Sequence, residues 1–109
     1  MERRLSSRAQ VDVPVSAFID GTRHDCRTID LSASGMVFQS NRSLALRELP
    51  GLNGFELYLG ANRPIRARAR SVWSRDGLQA VRFVLIHDVD RLVIAEHLDR
   101  LARLHQILH

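Results

Sequence analysis

The chain alternates apolar and polar residues in short runs, then changes period once near its end. In VDVPVSAFID (11–20), Val11, Val13, Val15 and Ala17 fall on every second position. A period of two is that of a half-buried strand, and Pro14 marks an edge position or a strand start. Asp20–Gly21 is a hairpin signal, so a second strand is expected over about 22–31. DLSASG (30–35) then turns the chain, and GMVFQS (35–40) is a third strand. The stretch 41–54 reads as a longer connection, because Pro50, Gly51, Asn53 and Gly54 interrupt regular structure. FELYLG (55–60) alternates as a fourth strand. PIRARARSVWSR (64–75) alternates most clearly, Asp76–Gly77 is another hairpin turn, and LQAVRFVLI (78–86) is the sixth strand.

Beyond His87 the spacing becomes helical, with Ile94, Leu98, Leu101, Leu104 and Leu108 flanked by Val89, Leu92 and Ala102. Asp88 or Asp90 is expected to cap the helix start, where an acid also meets the positive end of the helix dipole. The pattern therefore predicts an all-β domain with a C-terminal helix. Six short antiparallel strands in a small domain are expected to close into a barrel, because an open sheet would leave edges and an apolar face exposed. The apolar excess at Leu101, Leu104, Ile107 and Leu108 either packs on the barrel or forms a homodimer or partner contact through the helix.

At 109 residues, 45% of them hydrophobic, the chain fits one domain with a core of its own. No apolar run approaches the roughly 18 residues that cross a membrane, so no membrane insertion is expected. The start, MERRLSSRAQ, lacks the apolar stretch of a signal peptide, and Cys26 is the only cysteine. Both point to the cytoplasm. The formal net charge is +4, and every basic side chain is Arg. Arg offers a planar fork that grips phosphate and the guanine edge, which suits a nucleotide or a nucleic acid. The five His are scattered, with His24 near Cys26 and His105 four residues from His109, and no spacing typical of a metal site occurs. The chain also lacks G-x-S-x-G, P-loop and dinucleotide fingerprints, so neither an enzyme nor a cofactor is expected.

Two strings remain: RRLSSR (3–8), which holds Arg4 and Arg8 in R-x-x-x-R spacing, and DLSASG, which holds Asp30, Ser32 and Gly35 in D-x-S-x-x-G spacing. In this order and separation they resemble the PilZ domain family, whose members are receptors for the bacterial second messenger cyclic di-GMP. All five motif positions match. Further similarity lies in the six-strand pattern, in SVW (71–73), in VRF (81–83) and in the final helix. The resemblance implies an N-terminal arm at 1–10, a PilZ β-barrel at 11–87 and a C-terminal helix at 88–109. It implies a cyclic di-GMP site built from Arg3, Arg4, Arg8, Asp30, Ser32 and Gly35, with Trp73 and Arg75 as additional contacts. Arg3, directly before the motif, implies two ligand molecules per chain.

The chemistry agrees with the residues. An Arg fork meets guanine O6 and N7 together, and guanidinium also pairs with phosphate. A carboxylate such as Asp30 accepts from the guanine N–H groups. Ser32 adds a short donor and acceptor, and Gly35 is expected to permit the turn, through a positive φ, and close approach of the ligand. Ordering an arm on a ligand costs about 1–2 kcal/mol per residue, offset by charge-assisted contacts, and makes a new surface for an effector protein. With no output domain in the chain, the signal is expected to pass through such a partner. Two alternatives stand beside this reading: a small Arg-rich barrel for single-stranded nucleic acid, which needs exposed aromatics, and a PilZ adaptor that binds no ligand.

Overall fold

The computed structural model describes residues 8–9, 12–19, 21–40, 51–60 and 63–108. The elements are β1 (Arg8–Ala9), β2 (Pro14–Ile19), β3 (Thr22–Ser32), β4 (Gly35–Ser40), β5 (Asn53–Leu57), β6 (Ile65–Arg75), β7 (Leu78–Ile86) and the helix α1 (Asp88–Leu108). The six longer strands run in the order β3-β2-β5-β6-β7-β4, all antiparallel, and β4 pairs back onto β3. This closes a six-stranded barrel and removes its edges. β3 is long enough to serve more neighbours. β2 covers Thr22–Arg27, and β1 covers Leu31 and Ser32 farther along.

Inward positions on each strand meet in one apolar core. Val15, Ala17, Leu31, Met36, Phe38, Phe55, Leu57 and Ala69 are all buried there. Phe38 and Phe55 pack edge to face, with ring centroids 5.5 Å apart. α1 adds Ile94 and Leu98 to the same cluster. Its first turn holds Asp88 and Asp90. The cap position falls on His87 rather than on either Asp, because it is the His87 carbonyl that accepts the first helical bond, from the Arg91 amide at 3.0 Å. Asp90 is buried and pairs with Arg63 at 3.8 Å. Leu101 and Leu104 stay exposed. The side chains of Ile107 and Leu108 lie outside the described residues, as does most of the 41–54 connection. Among the described residues, no helix is long and apolar enough to cross a membrane.

The structure departs from the expected pattern in three places. Strand structure appears ahead of Val11, since Arg8–Ala9 already pairs with β3. Asn53 and Gly54 do not interrupt regular structure but open β5, opposite Ala69 and Arg68 of β6. The fourth strand stops at Leu57 rather than Gly60, which takes φ +143°. Elsewhere the expected elements hold. Pro14 is the first residue of β2, and Asp76–Gly77 makes its hairpin with both residues at positive φ.

If Ile94 and Leu98 anchor α1, Ile94→Ala should lower stability by about 2–5 kcal/mol. Leu104→Ala should change it by about 0.5 kcal/mol or less. Urea unfolding of both variants checks this, and equal effects would contradict the packing.

Candidate functional site

Strict alternation would bury Asp30. Cys26 and Thr28 face the core of β3, so two residues on, Asp30 should follow. The pairing shows why it does not. Thr28 opposes Phe38 and Asp30 opposes Val37, so Ile29 has no opposite number on β4. This β-bulge inserts one residue and reverses the faces beyond it. Ile29 and Asp30 both turn outward, and Leu31 takes the core position.

β6 does the same. Ile65, Ala67 and Ala69 face inward, and strict alternation would send Ser71 and Trp73 after them. Ser71 opposes Val81 and Trp73 opposes Ala80, which leaves Val72 unmatched. Val72 is 61% exposed and Trp73 39%. The two bulges cooperate. Trp73 opposes Ala80, Ala80 opposes Val37, and Val37 opposes Asp30. One continuous outer row thus joins Trp73 to Asp30 across four strands, a span of about 14 Å at normal strand spacing.

A second outer row runs beside it. Arg70 opposes Arg82, and Arg82 opposes Gly35. Across the tight turn from Gly35 lies Ser32, and Ser32 opposes Arg8 of β1. The end of R-x-x-x-R therefore pairs with the middle of D-x-S-x-x-G. Arg3 and Arg4 lie outside the described residues, as does the side chain of Arg8.

The turn between β3 and β4 is held from three directions. Ser32 Oγ accepts from the amides of Ser34 and Gly35, both at 3.2 Å, and lies 3.0 Å from Ser34 Oγ. Its hydroxyl builds the turn from within and is fully buried. The Ser34 carbonyl accepts from the Phe83 amide at 2.9 Å. Arg91, from the first turn of α1, donates to the Ala33 carbonyl at 3.0 Å. Gly35 is needed for space rather than for a special φ. A Cβ there would stand 2.4 Å from the Val81 carbonyl oxygen, and Gly35 is absent from the positive-φ glycines.

Along the two rows lies a shallow cleft of about 290 Å³, lined by Ser34, Gly35, Val37, Trp73, Ala80 and Arg82 among others. The Arg75 guanidinium lies over the Trp73 ring, 5.6 Å from its centroid. Arg70, Arg75 and Arg82 are exposed around the cleft. The face thus combines an aromatic ring, a carboxylate and several guanidinium groups, the set that recognises a charged nucleotide.

A family model for the PilZ domain matches residues 2–101. The chain belongs to the PilZ domain family. Several solved structures share the fold. The Bacillus subtilis inhibitor of motility (MotI/DgrA) aligns at TM-score 0.71 and 13% identity, over 88% of this chain and 50% of that one. The present chain thus spans half the length of that protein. An uncharacterised Legionella protein, Lpg0364, aligns at TM-score 0.61 and 14% identity, covering 92% and 98% of the two chains. The PilZ domain of CeSA from a cellulose-synthesising bacterium aligns at TM-score 0.56 and 16% identity, covering 84% and 93%. No curated protein matches by sequence. PilZ domains form a family of cyclic di-GMP receptors and adaptors, regulatory binding modules rather than catalysts.

In this PilZ domain the structure brings Asp30, Trp73 and Arg75 to one outer face, beside the turn that buries Ser32 and Gly35, onto whose Ser32 backbone Arg8 pairs. It adds Arg82 and Arg70, which the sequence reading left out of the site, and Arg91 as a positioning residue for the turn. Cross-strand register places the first two, and tertiary packing the third; of these only Arg82 lay in a string that carried the resemblance, VRF, which by itself assigned it no contact. Other reactive groups lie elsewhere. Cys26 is buried, and burial first, then Asp25, pushes its thiol up to about 11. Among the described residues, no three His, Cys, Asp or Glu side chains converge on a metal position.

Trp73 is the only tryptophan, so intrinsic fluorescence reads the β6 bulge directly. Emission should be readily quenched by acrylamide in the folded state. A blue-shifted signal that acrylamide does not reach would put the ring in the core.

Proposed function

We propose that this PilZ domain is a cytoplasmic cyclic di-GMP receptor that passes its ligand state to an effector protein. The observation that carries the reading is the pairing of Arg8 with Ser32, which joins the two halves of the ligand motif on one stretch of backbone. Arg4 and Arg8 supply guanidinium forks for the guanine O6 and N7 edge and for phosphate. Asp30 accepts from the guanine N1–H and N2–H. Ser32 and Gly35 act through the turn, by fixing its shape and by letting β4 approach β7. Trp73 stacks on a base, with Arg75, Arg82 and Arg70 facing the phosphates. The segment carrying Arg3 and Arg4 closes over the ligand from the β1 side, and Arg3 bridges to a second ligand molecule. The closed arm changes the surface that the effector meets.

Isothermal titration with cyclic di-GMP tests this. The protein should bind saturably, with two ligands per chain. Arg8→Ala and Asp30→Ala should each weaken binding by about 1–3 kcal/mol, the value of a well-formed bidentate base contact. Added salt should weaken it moderately, as expected for two phosphates. One ligand per chain would keep the receptor and remove the role of Arg3. No binding by folded protein would overturn the receptor reading in favour of a ligand-free adaptor. A salt slope that steepens with the length of a single strand would assign the face to nucleic acid.

A further inference from the structure

The barrel carries a third bulge, which neither motif explains. Arg68 opposes Leu85 and Ala69 opposes Phe83, so Val84 has no opposite number on β6. Val84 and Leu85 both turn outward as a result, 42% and 55% exposed. Two adjacent branched apolar side chains on the outside of a barrel are costly in water, roughly 25 cal/mol for each Å² left uncovered. Beside them the same outer row continues through Arg68 and Gly54 to Phe18. Gly54 has no side chain to fill the row, so a groove of about 620 Å³ opens between Phe18 and Leu85, with His87 at one end.

We propose that this groove docks an acidic segment of a partner protein that carries one large apolar anchor. The anchor fills the gap over Gly54, between Phe18 and the Val84–Leu85 pair. Charge selects the rest of the segment. Glu56, the groove's carboxylate, is already held by Arg66 at 3.1 Å and by Tyr58 at 2.9 Å. Arg68 stands exposed in the row itself, and the whole chain carries +4. A second copy would bring the same positive charge against this face, whereas carboxylates on a partner complement it.

The place of the groove also links it to the cyclic di-GMP face, and here the inference rests on the receptor reading. Arg68 of the groove and Arg70 of the ligand face lie two residues apart on β6, about 7 Å along the strand. A ligand gathering Arg70 and Arg82 therefore acts within one side chain's reach of the docked segment.

Gly54→Leu provides the test. A Cβ at Gly54 meets only Phe18 Cβ, at an ordinary 3.9 Å, so the new side chain plugs the groove without moving the backbone. Displayed random peptides are selected on the intact protein, and the enriched ones are titrated against it and its variants. Enriched peptides should combine Asp or Glu with a Leu, Phe or Trp anchor. Their affinity should fall about tenfold or more in Gly54→Leu. In Arg68→Glu it should also fall, and peptides with Lys in place of the acids should gain. Amide shifts in the complex should centre on Gly54 and Val84–His87. No enrichment, enrichment of basic peptides, or affinity unchanged in Gly54→Leu would overturn the proposal. So would self-association, or binding to vesicles containing phosphatidylserine, that Gly54→Leu abolishes. Those results would assign the groove to a second copy or to a membrane. Cyclic di-GMP titration of Gly54→Leu separates the two readings, since the plug should leave ligand affinity unchanged whether or not the peptides bind.

Discussion

A strand has two faces, and a side chain changes face only where its strand holds a residue that its neighbour lacks. In a closed barrel this constraint is severe, because every strand is paired on both sides and one face is packed solid. Each bulge therefore commits two consecutive residues to the outside. Here the committed pairs are Ile29–Asp30, Val72–Trp73 and Val84–Leu85. The first two set a carboxylate and an indole in one outer row. The third sets an apolar pair beside a glycine. The two faces proposed for ligand and partner are largely the product of three inserted residues.

Around this surface the packing is arranged to hold the turn at Ser32–Gly35 still. Gly35 lets the β4 backbone reach the Val81 carbonyl, Phe83 ties the Ser34 carbonyl, and Arg91 reaches from α1 to Ala33. α1 in turn is anchored through Ile94 and Leu98 in the barrel core. The helix, the core and the turn are thus one mechanical unit. The groove and the proposed ligand face share β6 and β7 on this unit, with Arg68 and Arg70 two residues apart on β6.

Much of this was legible in the sequence. The alternation of Ile65, Ala67 and Ala69, the Asp–Gly turns and the helical leucines locate most elements within a few residues. The two motif strings locate Arg8, Asp30, Ser32 and Gly35. What alternation alone misreads is the face of a residue beyond a bulge, because a bulge is a property of pairing and leaves no mark on one strand's pattern. Trp73 could be read as core or rim for that reason. Gly54 read as a breaker because glycine disfavours strands, yet the barrel keeps it in β5 between Phe18 and Arg68. Arg82 and Arg70 gain meaning only from lying opposite Gly35 and each other, which no linear spacing encodes.

The central claim is that Asp30, Val37, Ala80 and Trp73 form one outward row that receives cyclic di-GMP beside the Arg8–Ser32 pair. The most direct measurement is a two-dimensional ¹⁵N–¹H NMR titration of the labelled protein with cyclic di-GMP. The account predicts shifts concentrated at the amides of Arg8, Asp30, Val37 and Ala80 and at the Trp73 indole N–H. Shifts confined to the far wall at Phe18 and Gly54, or a spectrum unchanged at saturating ligand, would contradict it.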